Sequence, residues 1–110
     1  MSDHPLLDTA VLEELRDLDP QLLTDTLSLY KEDGARHIAA IAAALESGDD
    51  DVRRRNAHSF KGSSGTVGAM RVMAACRAVE AETNDHEAAF AKLRAEFAEA
   101  CQAIDSFLAS

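Results

Sequence analysis

The sequence has few residues that interrupt helices and few that cross-link small folds. Its 110 residues include two prolines, two cysteines and no tryptophan. Both prolines precede residue 21, so the rest of the chain can form long uninterrupted helices. The two cysteines fall in separate predicted helices, which favours buried thiols in a reducing compartment over a disulfide. Because strand-like alternation of apolar and polar residues is also missing, the pattern predicts an all-α fold.

Long apolar runs and basic clusters are missing as well. No stretch approaches the roughly 20 apolar residues of a membrane span, and the N-terminus lacks the basic and apolar regions of a signal peptide. The net charge of −9 argues against a nucleic-acid partner, because phosphate neutralisation needs clustered Lys and Arg. We therefore expect a cytoplasmic protein with no membrane and no nucleic-acid partner.

Motifs for self-sufficient catalysis do not occur. Bundle metal sites use Glu-x-x-His pairs, and none precedes His37, His58 or His86. There is no Cys-x-x-Cys pair for zinc, and the glycines match neither common phosphate-loop pattern. Ser63 and Ser64 lack the context of a catalytic triad. We expect no metal site and no resident cofactor.

Capping residues and apolar periodicity predict five helices. Their expected bounds are Asp8 to about Asp17, Asp19-Pro20 to about Glu46, Asp49–Asp51 to about Thr66, about Ala69 to Glu82, and about His86 to Leu108. Ser47-Gly48 and Val67-Gly68 are predicted turns, Thr83-Asn84-Asp85 is a polar break, and Gly34 is a possible kink. Short connections imply an antiparallel up-down four-helix bundle with a short extra N-terminal helix. We expect a single domain over residues 1–110, with residues 1–6 disordered.

Each predicted helix except the third carries a regular apolar stripe, which we expect to face the core. The stripes comprise Val11, Leu12, Leu15 and Leu18; Leu22, Leu23, Leu27, Tyr30, Ile38, Ile41 and Leu45; Ala69, Val72, Cys76 and Val79; and Phe90, Leu93, Phe97, Cys101, Ile104 and Leu108.

The third predicted helix carries an unusual polar face. His58, Lys61, Gly62 and Gly65 lie on one side at helical spacing, with Arg54 one turn before His58. Gly in a helix interior costs about 0.5–1 kcal/mol relative to Ala, so Gly62 indicates a need for access or close packing. An imidazole with a cation one turn away and no bulk beside it can accept a phosphoryl group and present it to another protein. The opposite side carries Asn56, Phe60, Ser63, Ser64 and Val67.

The run A-H-S-F-K-G-S-S-G-T-V-G-A, residues 57–69, resembles the signature of histidine-containing phosphotransfer (HPt) domains. That signature is commonly A-H-x-L-K-G followed by a short stretch ending in G-A. Residues 29–33, 48–49 and 76–80 also fit the layout of the family, so the resemblance extends from about Leu7 to the C-terminus. The chain departs from the family pattern at Phe60, usually a leucine, and at Arg53 and Asn56, which are often apolar.

The resemblance implies that His58 is phosphorylated and that Lys61, with Arg54, offsets the phosphoryl charge. The protein would then be a phosphocarrier without its own nucleotide site, exchanging phosphate with response-regulator receiver domains and a (hybrid) histidine kinase. Mg²⁺ would come from the receiver, and we expect a monomer. Arg53 and Arg55, the neighbours of Arg54 in the only basic run, are interpreted as a solvated helix face.

A docking surface around His58 can also be outlined. Counting back from the predicted turns places His37 and Ile38 of one neighbouring helix, and Arg77 of the other, at the level of His58. Met70, Met73 and Arg77 lie off the inner stripe and are expected to be partly exposed, although the two methionines could instead fill a groove between helices. The expected docking residues are Arg54, Ser59, Gly62, Gly65, Met70, Met73 and Arg77.

Other functions remain open at this point. A degenerate domain could act only as a docking or adaptor module, and a plain helical adaptor could match the motif by accident. A histidine kinase dimerisation domain is less favoured, because the chain has no ATP-binding region and carries Ser59 where such domains have an acidic residue. Met1 and the short length favour a free-standing chain.

Overall fold

A computed structural model describes residues 5–81 and 85–110, and all regular secondary structure in these ranges is helical. The five helices are α1 (Thr9–Leu18), α2 (Pro20–Ser47), α3 (Asp50–Thr66), α4 (Met70–Glu80) and α5 (His86–Ala109). Helices α2 to α5 each pack on the next, α5 packs back on α2, and α1 packs on α2. This arrangement confirms the antiparallel up-down four-helix bundle with a short extra N-terminal helix.

The predicted helix boundaries agree with the structure because local residues set them. Pro20 occupies the first turn of α2, where its missing N–H costs nothing, and Gly48 ends that helix with a φ of +74°. A carboxylate accepts hydrogen bonds from first-turn backbone N–H groups in each of four helices: Asp8 in α1, Asp19 in α2, Asp49 in α3 and Asp85 in α5. Helix α4 ends at Glu80 rather than Glu82, and residues 82–84 lie outside the described ranges.

The predicted core stripes are confirmed in α4 and partly wrong in α1 and α2. Ala69, Val72, Cys76 and Val79 are fully buried, and most of the α2 and α5 stripes are buried or half-buried against the core. In contrast, Val11, Leu18 and Leu22 are exposed, with Leu18 80% accessible. Helix α1 lies at the end of the bundle and buries a single row around Leu12, so its apolar residues on either side of that row face outward.

An aromatic cluster fills the core behind His58. The Phe60 ring lies 5.3 Å from that of Phe97 and 6.0 Å from that of Tyr30, centroid to centroid. Helix α2 continues through Gly34, where a Cβ atom would lie 2.5 Å from the Phe97 ring. Gly34 therefore allows close packing of the helix on this cluster. Tyr30 and Ser64 satisfy each other through a buried hydrogen bond of 2.8 Å between their oxygens.

The N-terminal segment closes one end of the bundle. The Asp8 N–H donates to the carbonyl oxygen of Gly68 at 2.7 Å, and the Arg16 guanidinium donates to the carbonyl oxygen of Phe107 at 3.0 Å. Gly68 has a φ of +79°, as its predicted place in the turn requires. Of the residues predicted to be disordered, 1–4 lie outside the described ranges, and Leu6 packs half-buried against the core.

The two cysteine thiols are free, with Cys76 buried and Cys101 half-buried. Burial raises the pKa of Cys76 to about 12 and also raises the pKa of Cys101. Within the described ranges, no helix combines the length and apolar character that crossing a bilayer demands.

Candidate functional site

The His58 side chain projects from the outer face of α3 and is 69% exposed. The opposite face of the same helix buries Ala57, Phe60 and Ser64 in the core. The imidazole is thus carried on a rigid element whose inner side is fully packed. This placement agrees with the helical face predicted for His58.

Glu80, the last residue of α4, joins His58 to Lys61. Its Oε2 lies 3.0 Å from His58 Nδ1, and its Oε1 accepts a hydrogen bond from Lys61 Nζ at 2.7 Å. The Lys61 hydrogen bond is the largest influence on this carboxylate and, helped by the bond from His58, holds the pKa of Glu80 below its ordinary value. Glu80 is therefore ionised at neutral pH and can only accept hydrogen bonds. His58 Nδ1 is then the donor, and in the neutral form of the imidazole Nε2 carries the lone pair.

Sequence reasoning did not find Glu80. Arg77 was expected at the level of His58, but Arg77 is exposed and Glu80 makes the contact, one turn later. Helix α4 begins only at Met70, after a turn that includes Ala69. In addition, a helical side chain leans toward the N-terminus of its helix, so Glu80 reaches back over the preceding turn. The only signal in the sequence was that Glu80 closes the segment 76–80 of the family layout.

His37 of α2 lies near the level of His58, as predicted. His37 Nδ1 lies 3.0 Å from Asn56 Oδ1, two residues before His58, and the His37 ring stacks on Phe60 at 5.5 Å. The amide of Asn56 donates to the carbonyl oxygen of Val52. His37 is thus held in the interface between α2 and α3 and has a structural role.

The two glycines on the His58 face have different surroundings. A Cβ atom on Gly62 would meet no atom within 4 Å, so the surface beside His58 is open. A Cβ atom on Gly65 would lie 3.1 Å from Met73 Sδ, a tight contact. Gly65 therefore makes room for Met73, which is half-buried like Met70. Met73 therefore packs against α3 and remains partly exposed, and Met70 is also partly exposed.

A shallow hollow of about 520 Å³ opens on the other side of His58. Arg54 and Ser59 are both exposed and line it, so the structure brings these two predicted residues together with His58. Arg55 pairs with Asp51 at 3.0 Å on the exposed helix surface, as expected for a solvated side chain. The residues around the hollow are Asp51, Arg54, Arg55, Asn56, His58, Ser59 and Glu80.

The interpretation of Arg53 as a solvated residue was wrong. Its side chain is 1% exposed, and Nη1 donates to the carbonyl oxygens of Val79 at 2.5 Å and of Glu80 at 3.2 Å. Helix α4 ends at this level, and the last carbonyls of a helix have no partners within it. A buried guanidinium is acceptable here because it supplies those missing donors.

Comparison with known proteins places these features in a family. The model of the Hpt domain family matches residues 25–107. Histidine-containing phosphotransfer protein 4 of Arabidopsis thaliana is 44% identical over 68 residues, a match that covers 59% of this chain and 54% of the plant protein. The chain therefore aligns with only about half the length of that relative.

Solved structures give the same answer over more of the chain. Histidine-containing phosphotransfer protein B of Pseudomonas aeruginosa superposes with a TM-score of 0.87 at 28% identity, covering 94% of this chain and 95% of that one. A rice protein assigned to the same class superposes with a TM-score of 0.80 at 28% identity, covering 94% of this chain and 79% of that one. Since the family model spans most of the bundle and includes His58, Lys61 and Gly62, the chain belongs to the Hpt domain family.

Proposed function

We propose that this protein is a histidine phosphotransfer protein of a two-component phosphorelay, which accepts a phosphoryl group on His58 and exchanges it with receiver-domain aspartates. The observation that carries the proposal is the geometry around His58. The exposed His58 imidazole has the Glu80 carboxylate within hydrogen-bond distance of Nδ1. Lys61 lies one turn away, and the surface at Gly62 is open. The named relatives are phosphotransfer proteins, which supports the same assignment.

Lys61 is suited to balance the charge of a phosphoryl group. Its ammonium already lies beside Glu80, on the same polar surface as His58. A flexible lysine has three donors and can share them between a carboxylate and phosphoryl oxygens. Arg54, on the rim of the hollow, would add a second cation to the side on which the phosphoryl group arrives.

The proposed role is that of a carrier rather than a self-sufficient enzyme. Proximity in a docked complex would supply much of the rate, and the partner receiver would supply the Mg²⁺ that phosphoryl transfer uses. We accordingly propose a cytoplasmic monomer without a cofactor, whose partners are response-regulator receiver domains and a (hybrid) histidine kinase.

The test is to phosphorylate the protein from a phosphorylated receiver domain and to map the modified residue. Wild-type protein is expected to carry acid-labile, alkali-stable phosphate on His58. His58→Gln is expected to lose all labelling and to keep the helical content and melting temperature of the wild type, because the side chain is exposed opposite the core.

Labelling that persists in His58→Gln, or that maps to His37 or His86, would contradict the assignment. If wild-type protein binds receivers without ever accepting phosphate, the docking or adaptor function is correct instead. Binding is measured on the same receiver panel, so the two functions are separated within one experiment.

A further inference from the structure

A buried arginine holds the end of α4. Arg53 Nη1 donates to the carbonyl oxygens of Val79 and Glu80, and the Ala81 carbonyl oxygen lies 3.4 Å away. Asp50, one turn earlier, places its carboxylate 3.7 Å from Arg53 Nε. A cation at the C-terminus of a helix is favoured by both the helix dipole and the unpaired carbonyls. Arg53 thus ties α4 to α3 at the level where α4 stops.

The same helix end carries the carboxylate of the site. Arg53 bonds the backbone of Glu80 from the inner side of α3, while the Glu80 side chain contacts His58 and Lys61 on the outer side. Glu80 is the final residue of its helix, where frayed backbone is common. Its carboxylate can keep one position over His58 only if that last turn is held, and Arg53 supplies the hydrogen bonds that hold it.

The Glu80 carboxylate favours one tautomer of the neutral His58 ring. A neutral imidazole has one N–H and one lone pair, on different nitrogens. A carboxylate beside Nδ1 favours the proton there and leaves the lone pair on Nε2. An imidazole without this contact would distribute the proton over both nitrogens, and part of the population would present the wrong atom.

We propose that Arg53 is a positioning residue for phosphoryl transfer, because it holds Glu80 where its carboxylate keeps the proton on His58 Nδ1. This inference rests on the proposed function and adds the residue that fixes the Glu80 carboxylate beside His58. Glu80 is the positioning carboxylate, and Arg53 acts through it.

The chemical steps balance without any further reactant. In the forward direction the Nε2 lone pair forms the N–P bond, the P–O bond to the receiver aspartate breaks, and the aspartate carboxylate leaves with the bonding electrons. The ring becomes a phospho-imidazolium that keeps its Nδ1 proton, and Glu80 faces that positive charge. In the reverse direction an aspartate oxygen attacks phosphorus, the N–P bond breaks, and the ring leaves as neutral imidazole because Nδ1 is already protonated.

The experiment compares Arg53→Met, Glu80→Ala and the double variant with wild-type protein. NMR of the ¹⁵N-labelled His58 ring reports the tautomer, and its coupling to ³¹P identifies the phosphorylated nitrogen. Rates are measured with a phosphorylated receiver domain and with phosphoramidate, a small donor that needs no docking. Arg36→Met is the matched control, since Arg36 is exposed and, like Arg53, pairs with an aspartate three residues earlier.

Wild-type protein is expected to hold the proton on Nδ1 and to carry phosphate on Nε2. Glu80→Ala is expected to shift the proton toward Nε2 and to slow phosphorylation by both donors about ten-fold or more, the scale on which partners that orient a histidine act. Arg53→Met is expected to change the tautomer in the same direction by a smaller amount. In the double variant the loss should equal that of Glu80→Ala alone, because residues that act through one another are not additive.

Two results would overturn the inference. In the first, Arg53→Met lowers the melting temperature but leaves the His58 tautomer and both rates unchanged, so that Arg53 is only structural. In the second, the effects of Arg53→Met and Glu80→Ala add. If Arg53→Met does not fold, Arg53→Lys takes its place, since it keeps the cation and loses the planar fork of five N–H donors.

The outcome for wild-type protein separates this inference from the proposed function. Phosphate on Nδ1 of His58 would contradict the role of Glu80 and leave the carrier function intact. Absence of phosphate on His58 would contradict the carrier function itself.

Discussion

At the scale of single residues, a larger side chain at Gly62 tests whether the open surface beside His58 is used for docking. Gly62→Gln is expected to impair transfer from a receiver domain by about ten-fold or more, since a long side chain would stand beside His58 on the surface that a partner must approach. The free protein has open space there, and glutamine is the better helix former, so the free energy of unfolding should rise by about 0.5–1 kcal/mol. Receiver binding and thermal melting on one sample check both outcomes.

Ala43→Gln is the control for Gly62→Gln, because Ala43 is exposed on α2, away from His58. It adds the same side chain and should leave transfer unchanged. Normal binding and transfer by Gly62→Gln would show that the open surface is not used for docking.

The side of α3 that carries His58 was predictable, because it depends on the periodicity of one helix alone. The positions of His58, Lys61 and Gly62 follow from helical periodicity. The burial of Arg53 was available from the same periodicity, since Arg53 continues the row of Ala57 and Phe60, but its charge favoured a solvated position. The Arg53 guanidinium is buried because α4 ends beside it. The sequence of α3 alone does not show where α4 ends.

At the scale of elements, two glycines with left-handed backbone, Gly48 and Gly68, allow a matched comparison of alanine substitutions. Gly48 ends α2 with a φ of +74° and open space around a hypothetical Cβ, whereas Gly68 has a φ of +79° and would place its Cβ 2.7 Å from the Asp8 carbonyl oxygen. Gly48→Ala should cost about 1–2 kcal/mol for the backbone conformation alone. Gly68→Ala should cost more, because the segment before α1 must also move. Chemical denaturation of the two variants measures the difference.

The excess cost of Gly68→Ala reports how strongly the N-terminal segment is attached. Equal costs for Gly48→Ala and Gly68→Ala would mean that the Asp8 contact adds nothing to stability. The carbonyl of Gly68 accepts from the Asp8 N–H, so loss of that hydrogen bond is part of the expected excess.

Helix ends were predictable, but the side chain that contacts His58 from α4 was not. Asp19, Asp49 and Gly48 mark boundaries through their own side chains or backbone, so the signal is local. The pairing of Glu80 with His58 depends on how many residues the turn before α4 uses. The exposure of Leu18 depends similarly on how α1 crosses the end of the bundle, which periodicity along α1 does not determine.

At the scale of the whole molecule, the two cysteines report opening of the bundle. Cys76 is buried with a pKa raised to about 12, whereas Cys101 is half-buried. A thiol must be both exposed and deprotonated to react. In native buffer, alkylation of Cys76 is expected to be at least about a thousand times slower than that of Cys101, because it requires opening that costs several kcal/mol. Mass spectrometry of the two peptides gives both rates.

Alkylation of Cys76 should increase with denaturant in parallel with the loss of helical signal, while that of Cys101 should change less. Comparable rates for both thiols in native buffer would mean that α4 detaches from the bundle independently. Such detachment would also remove Glu80 from His58.

The close approach at Gly34 has a consequence for how this sequence can diverge. Phe60 occupies a position where the family commonly has leucine, and the rings of Phe60 and Phe97 extend to within 3.1 and 2.5 Å of the point where a side chain at position 34 would begin. A larger residue at position 34 requires the Phe97 ring to move aside. The three positions are therefore expected to change together among descendants, with a smaller residue at 97 or 60 arising before any replacement of the glycine.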